Sequence, residues 1–214
     1  MSARYVMVTD FDGTAAEADV QQVILDSLAD RDGWRRINRE WASGAMTTAQ
    51  RARAQWALIQ GGEREVAAVL DGLRLDPGFP SFAEMCRERG FPLYIVSDGF
   101  DFYIQPLLQR AGLNHLPTFA NSLRYVDDVP MMDFLLQRSP DQYYGNDKTF
   151  VIEQVREPGD VLVFIGDGYS DRAAAHAADL VFAKDHLAEY CREQRLPFEH
   201  FLTFDDIRAY FEQR

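Results

Sequence analysis

The sequence predicts an α/β protein built on a parallel sheet. Four short apolar runs, Tyr5–Thr9, Pro92–Val96, Val161–Ile165 and, more weakly, Leu180–Phe182, suit strands covered on both faces. Helical patterns lie between them, the alternation expected of strand-helix units. Three of the runs lead directly into polar residues with glycine beside them. These are Asp10-Phe11-Asp12-Gly13-Thr14, Ser97-Asp98-Gly99 and Gly166-Asp167-Gly168-Tyr169-Ser170-Asp171. The carboxyl ends of parallel strands are where open α/β sheets bind ligands.

Between the first and second runs, residues 15–76 contain no convincing strand. Val20, Val23, Ile24 and Leu28 fall at helical spacing, and Glu65 to Leu73 is again helical. Thr47 and Gln50 have capping-box spacing before Ala54, Trp56, Ala57 and Leu58. This predicts a helical insertion over 15–76, ended by the turn-rich Asp76-Pro77-Gly78-Phe79-Pro80, with 1–14 and 77–214 forming the α/β core. Next, Ser81 and Glu84 have capping-box spacing, Phe82, Met85 and Cys86 share a face, and Gly90 can end the helix. Cys86 is therefore expected in the core. Leu123 to Phe134 reads as a β-hairpin turning at Asp127-Asp128, and Lys148 opens the helix that follows.

The chain has 214 residues, 47% of them hydrophobic, enough for one sizeable core plus an insertion. Its 22 Lys and Arg against 34 Asp and Glu leave a net charge of −12. So acidic a surface repels nucleic acid and anionic lipid, and a phosphorylated substrate would need local positive charge. The N-terminus has no signal-peptide pattern, and no apolar stretch is long enough to span a membrane. Two widely separated cysteines and four histidines without ligand spacing argue against zinc and for a reducing, cytoplasmic setting. A monomer and a homodimer are both compatible with this reading.

Each polar candidate alone is weak: a strand-end aspartate such as Asp10 is equally a turn residue, and Lys148 on its own reads first as a solvated surface lysine. Together they say more. Clustered carboxylates repel one another unless a cation holds them or some are protonated. An all-oxygen cluster of Asp10, Asp12, Asp167 and Asp171 favours Mg²⁺ over zinc.

At these residues the sequence resembles the haloacid dehalogenase superfamily of phosphatases. Asp10-Phe11-Asp12-Gly13-Thr14 looks like the first motif, Ser97 the second, Lys148 the third, and Gly166-Asp167 with Asp171 the fourth. The resemblance implies a Rossmann-like sheet in the order 5-4-1-2-3 with a helical cap between the first two motifs. It implies Asp10 as nucleophile, Asp12 as general acid and base, and Lys148 as charge stabiliser. It implies Mg²⁺ held by Asp10, the Asp12 carbonyl and Asp167, with Asp171 in support. Ser97, Asp98 and Gly99 lie where substrate is held, and Glu17 or Asp19 are candidates to read its non-phosphate end. The implied reaction is hydrolysis of a small phosphorylated metabolite through an aspartyl-phosphate.

Within the superfamily the chain is most similar to the branch of phosphoserine phosphatases and methionine-salvage phosphatases, the second being nearer. That likeness runs through Ser97–Phe102 and through Phe182–Leu187 to Cys191–Gln194. An enol phosphate of methionine salvage is thus one expected substrate, and phosphoserine, phosphocholine and phosphoethanolamine are alternatives. Two departures bear on the substrate: Asp98 stands where the branch usually has glycine, and Asp141–Asp147 lacks the cysteines that precede the lysine in the methionine-salvage group. A silent regulatory protein on the same scaffold is the reading from another class, and a phosphotransferase would use the same residues.

Overall fold

The structure, a computed structural model, describes residues 4–137, 143 and 146–213. A seven-stranded sheet lies at its centre in the order β4-β3-β2-β1-β5-β6-β7. The strands are β1 (Tyr5–Thr9), β2 (Leu93–Phe100), β3 (Thr118–Val126), β4 (Val129–Asp133), β5 (Val161–Gly166), β6 (Leu180–Ala183) and β7 (Glu199–His200). All neighbouring pairs are parallel except β3 with β4. The five strands β6-β5-β1-β2-β3 reproduce the expected 5-4-1-2-3 order. An antiparallel strand and a two-residue strand extend its two ends.

The continuous apolar runs follow from position. β1 sits between β2 and β5, and its alternate side chains enter two separate cores. Met7 packs with Ile95, Val163 and Ile165, under α5 (Phe79–Arg89), α6 (Asp101–Arg110) and α10 (Phe204–Glu212). Val6 and Val8 pack with Val96, Leu162 and Phe164, under α7 (Lys148–Val155), α8 (Arg172–Ala177) and α9 (Asp185–Gln194). A strand covered on both faces needs apolar residues at every position, not at every second one.

Four helices fill the stretch between β1 and α5: α1 (Val20–Leu28), α2 (Arg31–Ala42), α3 (Thr48–Trp56) and α4 (Glu63–Leu70). Asp19 caps α1 through the N–H of Gln22, and the Thr47–Gln50 capping box forms as its spacing predicts. The segment leaves and rejoins the core at one place, where Ala16 bridges Leu75 and the Asp76 N–H donates to the Ala15 carbonyl at 2.9 Å. Trp56 meets Phe100 edge-on at 5.6 Å, so α3 packs on the end of β2.

Three sequence expectations need correction. α5 begins at Phe79, so Ser81 is not its cap. Phe79 is buried against Phe204, and Asp76 Oδ1 accepts from the N–H groups of Gly78 and Phe204, which sets the entry earlier. Pro80 then occupies the first turn, where its missing N–H costs nothing. Second, β2 runs on to Phe100, so Ser97, Asp98 and Gly99 lie inside the strand, not beyond it. Third, the first limb of the hairpin is itself a core strand, β3, which begins at Thr118. The hairpin turn is at Asp127-Asp128 as expected, with φ of 50° and 60°. These are the left-handed values a two-residue hairpin turn requires. Gly90 closes α5 at φ 67°, and Cys86 is buried. Of the stretch 141–147, residues 141, 142, 144 and 145 lie outside the described residues.

The starts of β1 and β5 are joined by a two-pronged pair, with Arg4 Nε and Nη2 each 2.7 Å from an Asp160 oxygen. This bond and the Glu157 N–H hold the Asp160 carboxyl down at about 2. A depressed carboxylate stabilises the fold above its unfolded value, near 3.8, and loses that contribution as pH falls through the folded value. Asp160→Asn should therefore lower the melting temperature at neutral pH. The gap to the unmodified protein should narrow as pH drops from about 3.8 towards about 2 in a calorimetric series.

Candidate active site

Asp10 ends β1 and is buried, its N–H donating to the Ile165 carbonyl of β5 at 2.9 Å. The chain then makes one wide turn, Phe11–Ala15, with Gly13 at φ 70°. A Cβ on Gly13 would lie 2.7 Å from Asp167 Oδ2, so this turn and the β5 end approach closely only because residue 13 is glycine. Thr14 Oγ1 completes the approach, donating to Asp167 Oδ1 at 2.6 Å.

The fully buried Lys148 joins the two strand ends. Its Nζ lies 2.7 Å from Asp10 Oδ1 and 2.5 Å from Asp171 Oδ1. Burial alone would lower the lysine's pKa, but Asp10, Asp171 and Asp98 outweigh it and hold the ammonium form. The other Asp171 oxygen accepts from the N–H groups of Asp167 and Gly168 at 3.0 and 2.9 Å. Both its oxygens thus have protein donors, and Asp171 holds the lysine and shapes the turn that carries Asp167.

Asp12 is held from three directions. Its Oδ2 accepts from Tyr103 Oη at 3.0 Å and Ser97 Oγ at 3.3 Å, and its Oδ1 from the Val20 N–H at 2.9 Å. Burial, then the charge of Asp19, push its carboxyl up to about 7, against the Tyr103 and Val20 bonds that lower it. A group near 7 can both give and take a proton at neutral pH. Burial likewise raises Asp10 well above the ordinary carboxylate range, with Lys148 opposing and Asp171 and Asp167 adding to it. Asp167 is pushed up to about 7, by burial and then by Asp171.

The end of β2 departs from regular pairing, its register with β3 shifting between Val96 and Phe100. The freed carbonyls are met by side-chain amides: Asn146 Nδ2 donates to the Ser97 carbonyl and Asn121 Nδ2 to that of Asp98, at 2.5 and 2.7 Å. Asp98, the departure from the family pattern, accepts from the Asn146 N–H at 2.6 Å. Its carboxylate thus ties β2 to the approach to Lys148. Gly99 donates its N–H to Ser97 Oγ at 2.9 Å. A Cβ there would lie 2.1 Å from Tyr103 Oη and 2.4 Å from Asp12 Oδ2, so glycine leaves room for the Tyr103–Asp12 bond.

A cavity of about 340 Å³ opens over these groups. Asp10, Asp12, Ser97, Asp98, Gly99 and Asp167 line its floor. Asp19, Leu25, Trp34, Trp41, Arg51 and Gln55 from the helical segment form the facing wall, with Tyr169 and His186 also lining it. Glu17 is exposed, donates its N–H to the Arg74 carbonyl, and is not among the lining residues. The structure therefore gathers all the predicted candidates except Glu17 at one site. Sequence reasoning missed Tyr103, Asn121, Asn146 and Arg51. Tyr103 and Arg51 sit on helices, where nothing in the pattern marks a side chain turned to the rim. The need for local positive charge was assigned to Lys148, and nothing in the sequence singled out Arg51.

Ligand oxygens of Asp10, Asp167 and Asp171 lie within 4.8 Å of one another. An all-carboxylate set, with burial and mutual repulsion raising Asp10 and Asp167, fits a hard divalent cation. Because both Asp171 oxygens have donors, Asp10 and Asp167 are the better-placed direct ligands.

Comparison with known proteins agrees with this geometry. Residues 7–176 match the haloacid dehalogenase-like hydrolase family. Two similar curated proteins are 2-hydroxy-3-keto-5-methylthiopentenyl-1-phosphate phosphatases. The one from Brevibacillus brevis is 27% identical over 100% of this chain and 97% of its own. The one from Geobacillus thermodenitrificans is 29% identical over 97% and 95%. Among solved structures, a phospho-aspartyl intermediate analogue of phosphoserine phosphatase superposes with a TM-score of 0.71 at 18% identity, covering 98% of this chain and 99% of that one. A haloacid dehalogenase family hydrolase from Salmonella enterica superposes at 0.74 and 19% identity, covering 95% and 69%. The chain belongs to the haloacid dehalogenase-like hydrolases.

Gly99→Ala should force the Tyr103–Asp12 pair apart and cost about 1–3 kcal/mol of stability, as overpacking of a filled site does. Urea denaturation at neutral pH measures it.

Proposed function

We propose that the protein is a Mg²⁺-dependent phosphomonoester hydrolase that passes through an aspartyl-phosphate on Asp10. The observation that carries this reading is the pair of aspartates two residues apart in different environments. Asp10 is paired with a buried lysine, whereas Asp12 accepts from the neutral hydroxyls of Tyr103 and Ser97. Divergent environments of this kind separate a nucleophile from an acid and base.

Asp10 attacks phosphorus and forms the acyl phosphate, while Asp12 gives its proton to the leaving oxygen. Asp12, now ionised, takes a proton from the water that attacks phosphorus, and Asp10 and inorganic phosphate are released. Lys148 offsets charge on the transferring group, and Ser97 Oγ and nearby backbone N–H groups are placed to meet its oxygens. Mg²⁺, where bound, would be held by the carboxylates of Asp10 and Asp167 and the Asp12 carbonyl, and supplies further neutralisation of the phosphoryl charge. Asp171 supports this indirectly, through Lys148 and the Asp167 turn.

We read the helical segment as a cap over the 1–14 and 77–214 core that sets the substrate. The names of the similar curated proteins support a methionine-salvage enol phosphate. So does the apolar wall of Leu25, Trp34 and Trp41, which suits a substrate with an apolar end. Asp19, whose carboxylate faces the cavity, favours the second reading, an amine-bearing substrate such as phosphoserine, phosphocholine or phosphoethanolamine.

A phosphate-release screen over these four compounds with Mg²⁺ tests the reading, and inactivity on all of them would count against it. Asp10→Asn should lower turnover by roughly a thousandfold or more while leaving the circular dichroism spectrum unchanged. Near-normal turnover by this variant would remove Asp10 from the nucleophile's role. Chelation of divalent ions should abolish turnover, and Mg²⁺ should restore it better than Zn²⁺ does, as an all-oxygen site prefers a hard ion.

A further inference from the structure

Far from the cavity floor, β4 ends the sheet with β3 as its one neighbour among the described residues. The register shows which of its backbone groups remain open. Val126 faces Val129 across the turn, Arg124 faces Met131, and Leu123 faces Met132. In antiparallel pairing, residues that exchange hydrogen bonds alternate with residues whose N–H and C=O point the other way. The Leu123 N–H is turned away from β4 and donates to Asp101 Oδ1 at 2.9 Å. Its counterpart Met132 therefore turns its own N–H and C=O outward. Pro130 faces the same way, and so does Phe134 if the alternation is continued past the strand end. An open edge of this kind is a template for a further strand. Pro130 removes one donor from it and leaves the carbonyl in place.

The side chains beside this edge are apolar. Among the described residues, seven large apolar side chains are exposed, and four of them, Val126, Val129, Met131 and Leu135, belong to the hairpin or follow it directly. A cavity of about 480 Å³ lies alongside, lined by Val129, Pro130, Met131 and Met132. Successive strand residues point to opposite faces, so a cavity that touches all four lies along the backbone edge. Trp56, Ala57 and Ile59, at and after the end of α3, form its other wall. The hairpin is also held at its tip. Asp128 Oδ1 accepts from the Glu63 N–H at 3.4 Å, and a Cβ on Gly62 would lie 2.3 Å from the same oxygen, so the turn seats directly on the start of α4.

We infer that this edge is a homodimer interface, in which β4 pairs with β4 of a second copy, antiparallel and centred on Met132. Open backbone donors and acceptors flanked by apolar side chains are completed by an extended strand. A second copy supplies that strand by two-fold symmetry, provided the edge is complementary to itself. It is. Val129 and Leu135 are equidistant from Met132, and each is more than half exposed, at 56% and 68%. Pairing about Met132 brings each Val129 to the partner's Leu135, and each Met131 to the partner's Asp133. The two Met132 residues exchange N–H and C=O, and each Pro130 carbonyl accepts from the partner's Phe134 N–H. Pairing about Met131 would instead set Met132 against the partner's Pro130, which has no N–H to return. The net charge of −12 opposes association of two copies, but within the patch Arg124 lies 3.7 Å from Asp133 and offsets it. The interface does not depend on the reaction assigned to Asp10.

Sedimentation equilibrium of the full chain tests this, in about 0.15 M salt to screen long-range repulsion. Over about 1–100 µM it should show a monomer passing to a dimer. Met131→Asp sets like charges opposite each other at two symmetric positions and should weaken the dimer about tenfold. Met131→Lys sets opposite charges there and should leave the dimer as tight or tighter. Within one chain residue 131 faces Arg124, so fold stability favours the aspartate and cannot produce this order. The same two changes at Leu202, exposed after β7 at the other end of the sheet, should leave association unaltered, which separates the local contact from net charge. Cross-linking tests the register. Facing residues of a hydrogen-bonded pair have Cα atoms about 5.5 Å apart, within reach of a disulfide. On mild oxidation Met132→Cys should give a covalent dimer, and Met131→Cys, whose symmetric counterpart lies diagonally across, should not. Cys86 and Cys191 are buried and do not compete. A monomer throughout the range, a dimer that responds alike to both changes at Met131 or to neither, a dimer that responds to Leu202, or no cross-link through Met132→Cys would each overturn the inference.

Discussion

The organisation of the site depends on one buried ammonium. Lys148 bridges Asp10 at the end of β1 and Asp171 in the turn after β5; the side chains of Lys148 and Asp171 are 1% and 0% exposed, and that of Asp10, which reaches the cavity, 9%. A buried carboxylate without a partner would be neutral or would destabilise the fold, and two facing each other would be worse. With the lysine in place, α7, β1 and the β5 turn meet at one point. Everything else at the floor of the cavity is arranged around that contact. Asp171 spends its second oxygen on the backbone of Asp167 and Gly168, which brings Asp167 to the position where Thr14 can reach it.

The same logic accounts for Asp98. A carboxylate in the middle of an acidic site adds repulsion, and Lys148 is the largest influence opposing its burial. In return it binds the Asn146 backbone, two residues before the lysine. Asn146 reaches back to the Ser97 carbonyl. The irregular end of β2 and the approach to Lys148 are therefore one hydrogen-bonded unit, and Ser97 is presented to Asp12 as a consequence. A strand in regular pairing would have used its carbonyls in the ladder and left no place for this exchange.

The helical segment is coupled to the chemistry at two points. Asp12 accepts from the first N–H of α1, so a carboxylate of the cavity floor also marks where the segment begins. Tyr143, from the stretch before Lys148, stacks on Trp41 of α2 and pairs with Thr48 of α3. The segment is thus anchored to the first motif and to the approach to the third. Its inner wall places apolar rings, an aspartate and an arginine opposite the floor of the cavity.

Much of this was legible in the sequence. The apolar runs, the aspartates and glycines that follow them, the helical insertion and the hairpin turn are local, since strand burial, capping and turn chemistry act over a few residues. Those local rules placed Asp10, Asp12, Ser97, Asp167 and Asp171 at one rim, and the family resemblance added Lys148. They misplaced the start of α5, because a contact between Phe79 and Phe204, far apart in the chain, decides it. Glu17 and Asp19 looked equivalent on paper. Only the path of the chain through the Ala16–Leu75 bridge turns one outward and the other towards the cavity. The pairings of Tyr103 with Asp12 and of Asp98 with Asn146, and the stacking of Arg51 on Trp41, were likewise out of reach. By itself the sequence determined the strands, the polar residues at their ends and the chemistry those residues can perform at a phosphate. The tertiary structure alone decided which donors have partners and which do not, because hydrogen bonding between distant side chains depends on distances no local pattern encodes.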